Sequence, residues 1–148
     1  MKRGLVLGFA SILLVASLPA QDYSSDESRI REIIKSFSVM WTDPSGVQLA
    51  NDNSSGNLMI IIGQKSYNKT QYLELVANML KNRQIQKHQH EVYRVLIQGN
   101  IAFEYGLITM LMKNGSEQKN ETMNVFIKED GTWKILSNMP VDAIKDLF

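Results

Sequence analysis

Apolar residues recur at helical spacing in "SSDESRIREIIKSFSVMW", residues 24–41, where Ile30, Ile33, Ile34, Phe37, Met40 and Trp41 form one stripe. Arg29, Arg31, Glu32 and Lys35 fall mostly away from it, so the segment predicts an amphipathic helix. Ser24 and Glu27 stand at capping-box spacing, since each side chain can satisfy a free backbone N–H at a helix start. Asp43-Pro44 ends the helix, because proline restricts the residue before it and brings no donor. "SGVQLAND" is compatible with one short helical piece, and "NSSGN" reads as a loop. "LMIII" predicts a short buried strand, and "NKTQYLELVANMLKN" a second amphipathic helix capped by Asn68. Tyr72, Val76, Met79 and Leu80 form the inner edge of that helix.

After Lys87 the period changes from helical to alternating. "HEVYRVLIQ" runs into Gly99-Asn100, "IAFEYGLITMLM" into Asn114-Gly115, and "EQKNETMNVFIK" into Asp130-Gly131; "TWKILSN" then leads to Pro140. Three tight-turn signals separating four runs predict an antiparallel meander. "VDAIKDLF" is compatible with a final helical turn. Helices segregated from a run of antiparallel strands give an α+β domain. A long twisted sheet of this kind has to curl, and the helices are available to fill its hollow.

Two-residue turns fix a register, from which facing residues follow. Ile97 then faces Ala102, Val95 faces Glu104, and Arg94 faces Tyr105. Glu104 also faces Val125, Ala102 faces Ile127, Val125 faces Leu136, and Phe126 faces Ile135. One face carries Val95, Ala102, Glu104, Met110, Met123, Val125 and Leu136; the other carries Leu96, Phe103, Tyr105, Phe126, Trp133 and Ile135. A helical layer can cover only one of these apolar faces. The uncovered one predicts a partner surface, most economically a second copy of the chain forming a homodimer. Trp133 belongs to the core or to that interface.

Charge and leader pattern change the picture at the N-terminus. Met1-Lys2-Arg3, the apolar "GLVLGFASILLVA" and "SLPA" before Gln21 form the pattern of a secretory signal peptide over residues 1–20, cleaved after Ala20. The same pattern would serve an uncleaved anchor; cleavage leaves one domain over residues 21–148, secreted or periplasmic and free of the membrane. Losing Lys2 and Arg3 leaves 14 basic against 15 acidic residues. A near-neutral domain without a basic block offers no footprint for nucleic acid. With no cysteine in the chain, thiolate metal sites, thiol redox chemistry, a Cys nucleophile and lipid attachment at a processed Cys are all excluded. Four Asn-x-Ser/Thr sequons, at Asn53, Asn68, Asn114 and Asn120, carry meaning only in a eukaryotic secretory route.

Glu104 is the sharpest candidate for chemistry. Set among valines and a leucine, its carboxylate is cut off from water, which disfavours the charged form and suits an acid or base. Tyr93 shares its face by the register, and Trp41 and Tyr67 reach it from preceding segments. Met40, Met110 and Met123 offer adaptable walls, and Asn138 a further polar contact, around a small apolar ligand. His88 and His90 lie on one side of a strand. Two imidazoles are too few for a closed metal site, so no metal and no cofactor is expected, and the pair reads as an exposed strand start. Arg94, Tyr105, Asn124 and Ser137 form a polar row on the opposite face.

The arrangement resembles the nuclear transport factor 2-like, or SnoaL-like, superfamily with its cystatin-like α+β cone. Three stretches carry the resemblance: the opening helix ending in Trp41 and Asp43, "GNIAFEYGLIT", and "VFIKEDGTWKI" with its Asp-Gly turn and tryptophan. It spans nearly all of residues 21–148. It implies a pocket-bearing cone with helices on a curved antiparallel sheet, often dimeric, in a family of isomerases, dehydratases, cyclases, ligand binders and dimerising modules. The resemblance to its enzymes implies an isomerase or cyclase chemistry through Glu104, whereas no His–Asp pair stands where a dehydratase has one. Fold analogy assigns no reaction by itself.

Overall fold

The computed structural model describes residues 23–142. The leader of residues 1–20 and most of the expected last helical turn lie outside the described residues. Helix α1 (Tyr23–Met40) buries Ile30, Ile33, Ile34, Phe37 and Met40, the stripe expected of it. It begins a residue earlier than its capping box required, so Ser24 lies inside the first turn. Glu27 pairs instead with Arg31 one turn on, at 2.8 Å. Helix α2 (Gly46–Asn53) follows at once. Gly46 passes so close to the end of α1 that a Cβ there would lie 1.9 Å from the Met40 carbonyl oxygen.

"NSSGN" is strand, not loop. β1 (Ser54–Ile62) begins inside it, and Ser54 and Ser55 are buried because each hydroxyl has a partner: Ala50 O at 2.6 Å and Glu129 Oε1 at 2.6 Å. A hairpin through Gly63 leads to β2 (Lys65–Asn68), an edge strand that the polar "KSYN" does not announce. Asn68 then caps α3 (Lys69–Lys81) with a full capping box, accepting from Gln71 N at 3.0 Å while Gln71 Oε1 accepts from Asn68 N at 3.0 Å.

The four expected strands are β3 (Ile85–Gln98), β4 (Ile101–Met112), β5 (Glu117–Glu129) and β6 (Thr132–Pro140). The sheet has six strands rather than four, in the order β2-β1-β6-β5-β4-β3, and it is mixed because β1 runs parallel to β6. This curved α+β layer, with its helices against one face, is a cone. Ala102, Phe126, Trp133 and Ile135 join α1, α2 and α3 in the core. Trp133 is therefore core, and Phe126 and Ile135 lie on the face opposite to the one expected for them.

The first of three local irregularities accounts for that exchange, and the other two shift the register of β6 and β3. First, the β4–β5 connection is a three-residue loop in which Gly115, at φ 83°, follows a tight turn and Met112 N bonds Ser116 O. The turn is one residue longer than Asn114-Gly115 alone, so Glu104 faces Asn124 and Ala102 faces Phe126, in place of Val125 and Ile127. A one-residue slip turns every side chain over. Thr122, Asn124 and Phe126 go inside; Met123, Val125 and Ile127 go outside. Second, Leu136 is an extra residue in β6, so Val125 faces Ser137 although Phe126 still faces Ile135. Third, Tyr93 is an extra residue in β3: Arg94 faces Tyr105 but Val92 faces Gly106. That bulge reverses the parity of the strand before it.

Candidate functional site

The bulge at Tyr93 brings the two histidines into the cone. Val95 and Ile97 keep the inner face beyond it, while before it Val92, His90 and His88 take the inner positions. Tyr93 is turned out, 46% exposed, with its ring 5.5 Å from that of Tyr105. The expected exposed strand start is thus wrong for His88 and His90, and the expected inner place is wrong for Tyr93.

Glu104 is fully buried. Its Oε1 lies 3.0 Å from His90 Nε2, and its Oε2 accepts from Asn124 Nδ2 at 2.6 Å. Asn124 Oδ1 in turn accepts from Asn138 Nδ2 at 2.7 Å. Each link follows from pairing, since Asn124 faces Glu104 on one side and Asn138 on the other. His90 is not directly opposite Glu104; it reaches it across Gly106. A Cβ on Gly106 would stand 2.5 Å from Glu104 Oε1, 2.7 Å from His90 Nε2 and 2.4 Å from Glu91 O. Only a residue without a side chain leaves room for the pair.

Above this polar line lies a cavity of about 890 Å³. Its apolar walls include Phe37, Met40, Trp41, Ile60, Met110 and Ile135, and Tyr67 and Asn138 also line it. Of the expected ligand-lining residues, Trp41, Tyr67, Met110 and Asn138 are brought together here. Met123 is not: it pairs with Tyr105 on the outer face, carried there by the longer β4–β5 loop. Trp41 packs against the His88 ring at 6.1 Å and edge-on to Tyr72 at 6.2 Å.

Burial, with repulsion from His90 behind it, lowers the pKa of His88 to about 4 and keeps the imidazole neutral. Burial also pushes the pKa of the Tyr72 hydroxyl up, and that hydroxyl donates to Met40 Sδ at 3.8 Å. His88 Nδ1 and Thr122 Oγ1 are buried polar atoms that no protein group satisfies among the described residues. No group of three or more His, Asp or Glu residues placed to hold a metal occurs among them either.

No protein-family model matches the chain, and no curated protein matches it. Solved structures do. A domain of unknown function with a cystatin-like fold from Nostoc punctiforme superposes with a TM-score of 0.68 at 16% identity, covering 84% of each chain. An NTF-2-like protein of unknown function from Shewanella oneidensis gives 0.63 at 15% identity, covering 78% of this chain and 98% of its own. A candidate ketosteroid isomerase from Shewanella frigidimarina gives 0.58 at 19% identity, over 72% and 89%. The chain has the nuclear transport factor 2-like fold, the cystatin-like α+β cone.

His90, Asn124, Thr122 and Gly106 are the members of the site that the sequence did not yield. Each depends on parity at a bulge or loop, and "HQH" and "FEYG" were the local signals that belonged together.

Proposed function

We propose that this domain binds a small, largely apolar molecule in its cone, seated against His90, Asn124 and Asn138, with Glu104 directly behind them. The observation behind this reading is the cavity itself: apolar walls of ligand-binding size that end on a few convergent polar groups. Export with cleavage after Ala20 and pairing of two copies through the outer sheet face belong to the same proposal. Titration with N-phenylnaphthylamine, a neutral dye that brightens in apolar surroundings, tests it. The expected result is a saturable rise in emission, lost when Met110→Glu puts a charge into the wall of a chain that still melts cooperatively. An unsaturable response overturns the reading. Native mass spectrometry of protein from its own host would then show the natural occupant.

The contact between His90 and Glu104 favours a second reading, an enzyme of isomerase or cyclase type. A carboxyl and an imidazole 3.0 Å apart can pass a proton between them and onward to a bound molecule. Exchange of the α-protons of a bound neutral ketone for deuterium, followed by NMR, tests this. Glu104→Gln should abolish exchange while dye affinity stays within about twofold, a difference of well under 1.4 kcal/mol. Exchange that survives the substitution rejects the catalytic role.

A further inference from the structure

We infer that the cavity selects an uncharged molecule bearing a hydroxyl, carbonyl or amide on its apolar body, and rejects the corresponding carboxylate. This rests on the ligand-binding reading and adds the class of ligand. Three observations carry it.

The first is the acidic group behind the floor. Glu104 is fully buried; its Oε2 accepts from the Asn124 amide and its Oε1 contacts the His90 imidazole, neither of them a permanent cation. No lysine or arginine pairs with it among the described residues. An anion brought to His90 and Asn124, which line the cavity, would have the Glu104 carboxyl directly behind them in a medium of low polarity, where like-charge repulsion is far stronger than in water. The second is the rest of the lining. Lys65 is the sole lysine or arginine among the described residues that line the cavity, and it stands exposed at the rim. Asp142, likewise exposed, adds another carboxyl. His88, held neutral by burial, supplies no positive charge deeper in. An incoming carboxylate finds no cation among the described residues deep in the cavity to offset its lost hydration.

The third is an unfilled hydrogen-bonding capacity. Thr122 is 4% exposed and its Oγ1 has no protein partner among the described residues. It lines the cavity and stands directly opposite Gly106, the position over which His90 Nε2 and Glu104 Oε1 lie. A buried hydroxyl without a partner is destabilising, because its lost bonds to water are not replaced. A ligand oxygen or amide beside the His90–Glu104 pair removes that cost, because a hydroxyl both donates and accepts. A purely hydrocarbon ligand leaves the cost in place.

Decanol, decanamide and decanoate share a chain and differ only at the head, so their displacement of N-phenylnaphthylamine at mildly alkaline pH isolates the selection. Decanol and decanamide should displace the dye at concentrations roughly tenfold or more below that of decanoate. Glu104→Gln keeps the shape and removes the acidic group, and should narrow that gap at least threefold. Thr122→Val keeps the volume and removes the hydroxyl. It should weaken decanol and decanamide at least threefold more than it weakens the dye, and it serves as the test if Glu104→Gln does not fold. A flat or reversed ranking in the unsubstituted protein, or displacement by none of the three while the dye still binds, overturns the inference alone. If the dye itself finds no site, the ligand-binding reading fails and this inference falls with it.

Discussion

Burial against Trp41 and repulsion from His90 make His88 a residue whose protonation the fold opposes, its pKa pushed down to about 4 from an ordinary 6.5. Below about pH 6.5 the unfolded chain takes up a proton there that the native chain refuses. The stability that His88 contributes is therefore complete above that pH. It falls by about 1.4 kcal/mol per unit as pH drops, until the folded group itself titrates near pH 4. Asp26 acts in a lower window: Lys128, 2.8 Å away, holds its carboxyl below the usual 3.8, so its contribution is lost only under stronger acid. Urea denaturation from pH 7 to pH 4 should show the His88 slope, and His88→Leu should flatten it. A slope that persists unchanged in the variant assigns the acid sensitivity elsewhere.

Within an element, the strongest local signal was the cap of α3. Asn68 and Gln71 satisfy one another's backbone donors, and the helix starts at Lys69 as their spacing required. Asn68→Ala should cost about 1 kcal/mol in urea denaturation, as N-cap truncations do; no loss would mean that packing of Tyr72 and Val76 holds the helix start alone. The strands show where such local reading ends. Asp130 and Gly131 both have positive φ, at 48° and 76°, and the two-residue hairpin keeps its expected pairing of Phe126 with Ile135. Asn114-Gly115 looked the same in sequence but belongs to a longer loop, in which Asn114 Oδ1 accepts from Ser116 N and Oγ. Tyr93 carries no mark of a bulge at all. The alternating pattern was legible on either side of it, and the change of phase between the two halves was not.

Across the whole molecule, the sheet divides the chain into a filled side and an open one. Leu96 and Phe103 remain 49% and 41% exposed on the outer face, beside Tyr93. Exposed aromatic and aliphatic side chains grouped on one sheet face fit an isologous contact between two copies. We expect light scattering at micromolar concentration to give a dimer, and Phe103→Glu, which places like charges against each other across a two-fold axis, to give a folded monomer. A monomeric unsubstituted protein rejects the contact.

Helical periodicity, turn dipeptides and the cap at Asn68 determined the elements and their class, because each is set by residues within a few positions of one another. The adjacency of the four predicted meander strands, in the predicted order, was determined in the same way. Which face of the sheet became the inside was decided by the tertiary structure: alternation gives two faces without naming either, and a single inserted residue exchanges them. Glu104 was visible in the sequence as a carboxylate in an apolar strand. His90, Gly106, Thr122 and Asn124 joined it only once the bulge at Tyr93 and the loop at Gly115 had set the phase of the strands on either side.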